Sequence, residues 1–173
     1  MSTLVPKIEK LEKEADDQEQ YSRSNCLIVH GIKNTSKRGE YLDNENFVCL
    51  ELNKKLTLNP PIQVSDLDIA HPLPSKKGDA VIIKFLRRTQ RNLFYSKKKQ
   101  LKGTGVVITE SLTKRRLKLL EAAKSAFGRY SAWTMKDDVY GFHNNKKHRI
   151  NDFTDINKIT STYASVTKNN LNN

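Results

Sequence analysis

Residues 80–109 read AVIIKFLRRTQRNLFYSKKKQLKGTGVVIT. The run opens with six residues rich in β-branched side chains, which predicts a buried strand over 80–85. The basic segment 88–101 follows with helical character, its apolar contribution coming from Leu93, Phe94 and Leu101. Gly103-Thr104-Gly105 is a turn, and VVIT (106–109) is a second strand. Strand, helix and strand therefore lie within thirty residues.

Working towards the N-terminus, LDIAHPL (67–73) is a weak strand that Pro72 places near an edge or end. Between it and residue 80 lies a basic turn, PSKKG (74–78). ENFVCLELNKKL (45–56) is a helix with Phe47, Val48, Leu52 and Leu56 on its apolar face. Asp43 or Asn44 can cap it, and Asn59-Pro60-Pro61 ends it. CLIVHGI (26–32) is a buried strand closed by the turn KNTSKRGE (33–40). Working towards the C-terminus, Thr113 caps a second basic helix over 114–128, with Leu117, Leu120, Ala123 or Lys124, and Phe127 at helical spacing. The order β-α-β-β-α-β is that of the split βαβ, or ferredoxin-like, motif, which RNA-recognition-motif domains use.

Two flanking regions complete the expected α+β chain. Residues 1–21 carry Leu4, Ile8, Leu11, Ala15 and Gln18 at heptad spacing, either the end of a coiled coil or a solvated helical arm. Residues 112–164 hold the basic helix, three short strands (131–135, 139–143 and 148–150) and a last helix from Asp152 or Thr154. Turns at 136–138 and 144–147 join the strands, and 165–173 reads as a disordered tail. The expected domains are thus 1–21, 22–111 and 112–164.

The 173 residues carry 31 Lys+Arg against 19 Asp+Glu, a formal charge of +12. The excess is local. Residues 76–129 hold 16 basic and 3 acidic residues, and residues 1–20 hold 3 and 6. A block of this kind suits a polyanion. Lys84, Arg87, Arg88, Arg91, Lys97, Lys98, Lys99, Lys102, Arg115, Arg116 and Lys118 are the candidate phosphate contacts. Trp133 and Tyr140 are candidate base-stacking rings, with hairpin core as the other reading for Trp133.

Other chemistry finds little support. No phosphate-binding loop, nucleophile elbow or H-E-x-x-H motif occurs, and no cofactor or metal is expected. His143 and His148 face each other across a predicted hairpin without further ligands at zinc spacing. Cys26 and Cys49 are too few for a disulfide framework and read as buried thiols. No apolar run is long enough to span a membrane, and a cytoplasmic or nuclear protein is expected. An RNA-recognition motif usually carries stacking aromatics on its third strand. Here KGDAVIIKF (77–85) keeps Lys77-Gly78 without the internal aromatics.

The blocks NCLIVHGI, DLDIAHPLP, DAVIIKFLRR, KKKQLKGTGVVITESLTKRRLKLLEAAKSAFG and AWTMKDDVYGFHNNKKHRI resemble the first-open-reading-frame proteins of LINE-type retrotransposons. The last two also resemble the C-terminal domain of the baculovirus few-polyhedra protein. The resemblance covers roughly residues 22–160. It implies a coiled coil that is often trimeric, an atypical RNA-recognition-motif domain and a small C-terminal α/β domain. It also implies single-stranded RNA or DNA bound between the last two domains, nucleic-acid chaperone activity and no enzymatic reaction. By position, Arg87, Arg91 and Lys99 match basic residues of the family, and Trp133 lies near an aromatic one. The family's arginine pair in the linking helix is replaced by Leu120-Glu121, and Arg115-Arg116 lie about a turn earlier. The rival expectations are a protein-interaction adaptor of the few-polyhedra type and a peripheral protein on anionic membranes.

Overall fold

The computed structural model describes residues 4–32, 44–74 and 80–169. The expected turn at 33–40, the helix cap Asp43 and residues 75–78 of the basic turn lie outside them, as do 170–173 of the tail. The chain is a mixed α+β protein with two antiparallel sheets. It divides into two compact units, Ser22–Ser111 and Met1–Tyr21 with Leu112–Asn173. Among the described residues, no helix is long and apolar enough to cross a membrane.

The unit Ser22–Ser111 holds β1 (Cys26–His30), α2 (Asn44–Lys55), β2 (Leu67–Leu73), β3 (Ala80–Phe85), α3 (Arg88–Ser96) and β4 (Val107–Glu110). The first helix in chain order, α1 (Leu4–Arg23), falls almost wholly in the other unit. The sheet order is β2-β3-β1-β4, with every neighbouring pair antiparallel. Period-2 alternation sends Leu27, Val29, Val81, Ile83 and Phe85 to one face, where all are at most 1% exposed. Val48 and Leu52 of α2 and Phe94 of α3 close over them. Phe85 and Phe94 meet ring to ring, centroids 5.5 Å apart. A burial of this extent stabilises by about 1.5–3 kcal/mol per large apolar side chain.

Two details of this unit depart from the sequence reading. The helix expected over 88–101 breaks at Lys97 and continues as a 3₁₀ turn, Lys98–Leu101. The tighter winding buries Leu101, whereas Leu93 is 48% exposed. At the other end of β1, Gly31 has a positive φ of 82°, and a Cβ there would lie 2.1 Å from the Gly105 carbonyl oxygen. Only glycine lets the turn 103–105 approach so closely.

In the other unit, α4 (Lys114–Phe127) and α5 (Phe153–Asn169) accompany a sheet ordered β5 (Ala132–Met135), β6 (Asp138–His143), β7 (Lys146–Ile150). Both connections are two-residue turns with positive φ at each central residue, Lys136 and Asp137, then Asn144 and Asn145. That is the type I′ pattern, which matches strand twist. It shortens the second turn expected at 144–147 and returns Lys146 and Lys147 to β7. The core is small: Leu119, Ala123, Ala132, Val139, Ile150 and Ile156. Leu119 takes the place expected of Leu117, which is 48% exposed. Residues 165–169 of the expected disordered tail continue α5.

The heptad positions of α1 are outward. Leu4 is 63% exposed, and Ile8 and Leu11 are each 53% exposed. The buried residues are polar, Asp16 and Gln20. Gln20 accepts from the Thr113 backbone N–H at 2.9 Å, and Asp16 accepts from the Thr113 hydroxyl at 2.5 Å. Thr113 in turn accepts the Arg116 N–H as N-cap of α4. The helix is therefore fastened by one polar end.

Candidate nucleic-acid interface

The register of the three-stranded sheet fixes which side chains share its open face. Trp133 pairs with Tyr140, Tyr140 with Arg149, and Phe142 with Lys147. All five alternate away from buried Ala132, Val139, Gly141 and Ile150. The Trp133 and Tyr140 rings stack at 18° with centroids 6.3 Å apart. Lys147 Nζ lies 4.2 Å from the Tyr140 ring centre. Phe142 is 44% exposed, and Arg149 donates to Asp138 at 2.9 Å. Three rings and two cations on one solvent-facing surface can stack planar bases and hold phosphates.

The opposite face explains why this one stays open. Gly141 has no side chain, and a Cβ would fall 2.6 Å from the Phe127 ring of α4. Phe127 also meets the His143 ring at 5.3 Å. Helix α4 thus fills that face. Trp133, placed between core and platform by the sequence, stands on the open face and is half-buried by its neighbours.

Two of the expected phosphate contacts are held inside the protein. Arg91 is 2% exposed and donates to Glu110 at 3.2 Å and to Asn92 at 3.0 Å. Its place one turn before buried Phe94 puts it on the sheet-facing side of α3, and Glu110 shares the inward parity of Ile108. Its i, i+3 spacing from Phe94 was the sequence signal that Arg91 faces inward. Arg116 is likewise committed. It donates to Asp16 at 3.1 Å, Asp17 at 2.7 Å and the Asp137 carbonyl at 2.8 Å, with Asp138 at 3.5 Å. Both arginines leave the set of candidate phosphate contacts.

Others are partly engaged. Arg115 pairs with Asp152, and Arg88 donates to the Ser24 hydroxyl. Lys84 stands on the open face of β3, 2.6 Å from Asp68. The hydrogen bond to that carboxylate, with its charge, pushes the Lys84 pKa up. Lys98 lies 3.8 Å above the Tyr95 ring. Arg87, Lys99, Lys102 and Lys118 are exposed, and Lys97 is half-buried.

Phe142, Lys147 and Arg149 were missing from the sequence-derived set. Phe142 follows from Tyr140 by period 2 along one strand, whereas finding Lys147 and Arg149 needed the two-residue length of the Asn144-Asn145 turn, which fixes parity across the hairpin. Among the described residues no group of three or more His, Cys, Asp or Glu is placed to hold a metal. Burial, helped by Asp66 and Glu45, pushes the Cys49 thiol up to about 11, so it is not a nucleophile near neutral pH. No protein-family model and no curated protein matches the chain.

Proposed function

We propose that this chain binds single-stranded nucleic acid and does so without catalysing a reaction. One observation carries the reading: Trp133, Tyr140 and Phe142 share the open face of the three-stranded sheet with Lys147 and Arg149. Stacked bases tolerate any sequence because each base has a π-face, and the lysine and arginine suit the adjoining phosphates. Duplex bases are already stacked on one another, so such a face favours single strands. Arg87, Lys97, Lys99 and Lys118 add phosphate contacts.

We further propose that the larger unit, Ser22–Ser111, is an atypical RNA-recognition-motif domain. Its β-α-β-β-α-β order and its sheet order β2-β3-β1-β4 support a ferredoxin-like, RNA-recognition-motif type of domain. Its open face is aliphatic, with Ile28, Ile69 and Ile82 where stacking rings are usual. The quoted sequence blocks support kinship with the retrotransposon proteins, and with it chaperone activity on RNA or DNA. The exposed Leu4, Ile8 and Leu11 of α1 support self-association through that helix, as a trimer in the family's manner.

Trp133 is the chain's one tryptophan, so its emission reports on this face alone. Titration with a thymine or uracil 20-mer at low salt should quench it, while heparin, a polyanion without bases, should not. Trp133→Ala should weaken oligonucleotide binding about 5- to 150-fold. Binding without quenching would move the interface elsewhere. No binding at low salt would remove the reading in favour of the adaptor.

A further inference from the structure

The two edges of the three-stranded sheet differ in what they show to solvent. The Phe142 backbone N–H donates to the Ser131 carbonyl at 2.7 Å, so the main chain of Phe142 turns towards β5. Lys147 lies directly across from Phe142, and Arg149 from Tyr140. In an antiparallel pair, a residue whose main chain turns away from its neighbour stands opposite one that does the same. The N–H and C=O groups of Lys147 and Arg149 therefore point away from β6, along the edge of β7. Both residues are exposed. Among the described residues, no other group bonds to the main chain of either on that side. Strand β7 has no proline, and its register with β6 runs unbroken from Lys146 to Ile150. At the other edge, the matching outward groups belong to Ala132 and Thr134 of β5, and Ala132 is 5% exposed. The open edge is β7.

Such an edge offers donors and acceptors in alternation, and another polypeptide strand can answer both. Phosphate oxygens only accept, and would leave the two carbonyls unanswered. The side chains choose the strand. Lys147 and Arg149 project onto the open face, and Lys146 beside them is exposed as well. A second copy of β7 pairing through these groups would set cation against cation, which destabilises. An acidic strand would set a carboxylate against each.

We infer that the β7 edge accepts an extended acidic segment of a partner protein as a fourth, antiparallel strand, with acidic residues opposite Lys147 and Arg149. The N–H and C=O of each acidic residue bond to the main chain of the residue opposite, and its carboxylate meets the cation there. Lys147 and Arg149 are shared with the aromatic face, but the ladder uses their main-chain groups, so the inference does not rest on nucleic-acid binding.

The test uses the full chain and labelled eight-residue peptides. A peptide alternating Glu and Val should bind and slow hydrogen exchange at the Lys147 and Arg149 amides. N-methylation of its glutamates removes the donors that face β7 and should weaken binding about tenfold. N-methylation of its valines, whose amides face solvent, should leave binding unchanged. A peptide alternating Lys and Val should not bind. Lys147→Glu reverses one exposed charge and should cost about tenfold in Glu/Val binding, with an unchanged circular dichroism spectrum, while Lys147→Arg should retain it. No binding of the Glu/Val peptide would overturn the inference. So would equal binding of the two methylated peptides, which would reduce the effect to charge. Protection of the Lys147 and Arg149 amides by a thymine oligonucleotide, with none from the Glu/Val peptide, would also overturn it and make the edge a phosphate subsite.

Discussion

The four-stranded sheet of Ser22–Ser111 is backed by seventeen buried apolar residues among those described, and the three-stranded sheet by six. Their open faces differ in kind. The larger sheet shows Ile28, Ile69 and Ile82 with Lys84 tied to Asp68, and the smaller shows Trp133, Tyr140 and Phe142 with Lys147 and Arg149. Stacking capacity thus stands on the sheet with the lesser apolar core. Polar fastening assists that smaller unit: Arg116 joins Asp16 and Asp17 of α1 to the β5–β6 turn, and Arg115 reaches Asp152. In the larger unit the notable polar feature is internal, the Arg91–Glu110 pair.

That pair gives the largest expected effect. Arg91→Met removes the cation 3.2 Å from buried Glu110 and should destabilise the larger unit by about 3–5 kcal/mol. Native-state hydrogen exchange resolves the two sheets separately, so protection should fall in β1 and β3 while β6 keeps its own. Arg91→Met with Glu110→Leu should recover most of the loss. A double variant as unstable as the single would show that the ion pair is not the source of the penalty.

The complementary change is Gly141→Ala. The added methyl meets the Phe127 ring and should cost the smaller unit about 1–3 kcal/mol. Here β6 protection should fall while β1 and β3 are unaffected. Phe127→Leu in the same chain should return part of the loss, because the ring is the obstacle. Equal losses in both sheets would mean that the two units unfold as one, and the contrast between them would disappear.

The strands were legible wherever β-branched residues ran together, as in AVIIKF, because period-2 burial leaves a strong local pattern. The helices were legible in position and less so in facing. On α4 the 3.6-residue period allowed either Leu117 or Leu119 inward, and only packing against the sheet selects Leu119. The candidate site was harder to read. Charge density named Arg91 and Arg116 because a sequence records that a residue is basic and not what sits opposite it. Their partners, Glu110, Asp16 and Asp17, lie 19 to 100 residues away in the chain. Lys147 was missed for a local reason: a turn one or two residues longer would have taken it out of β7 and off the face of Tyr140.

The smallest expected effect separates the two open faces most directly. Lys147 and Lys84 each project from a strand onto an open face, and each adds one positive charge to the total. Lys147 stands over the Tyr140 ring, where a phosphate beside a stacked base would meet it. Lys84 already has a carboxylate at 2.6 Å. With that carboxylate beside it, Lys84 is already largely neutralised and has less counterion to release on meeting a phosphate. Lys147→Met should therefore lower the slope of log affinity against log salt by about 0.7 for a single strand, the contribution of one phosphate contact. Lys84→Met should leave the slope where it was. Measuring both on a thymine 20-mer, over the same salt range, cancels any general effect of net charge, because the two variants have the same charge. A slope that falls for Lys84→Met and holds for Lys147→Met would place the nucleic acid on the aliphatic sheet, and the aromatic face would then need another ligand.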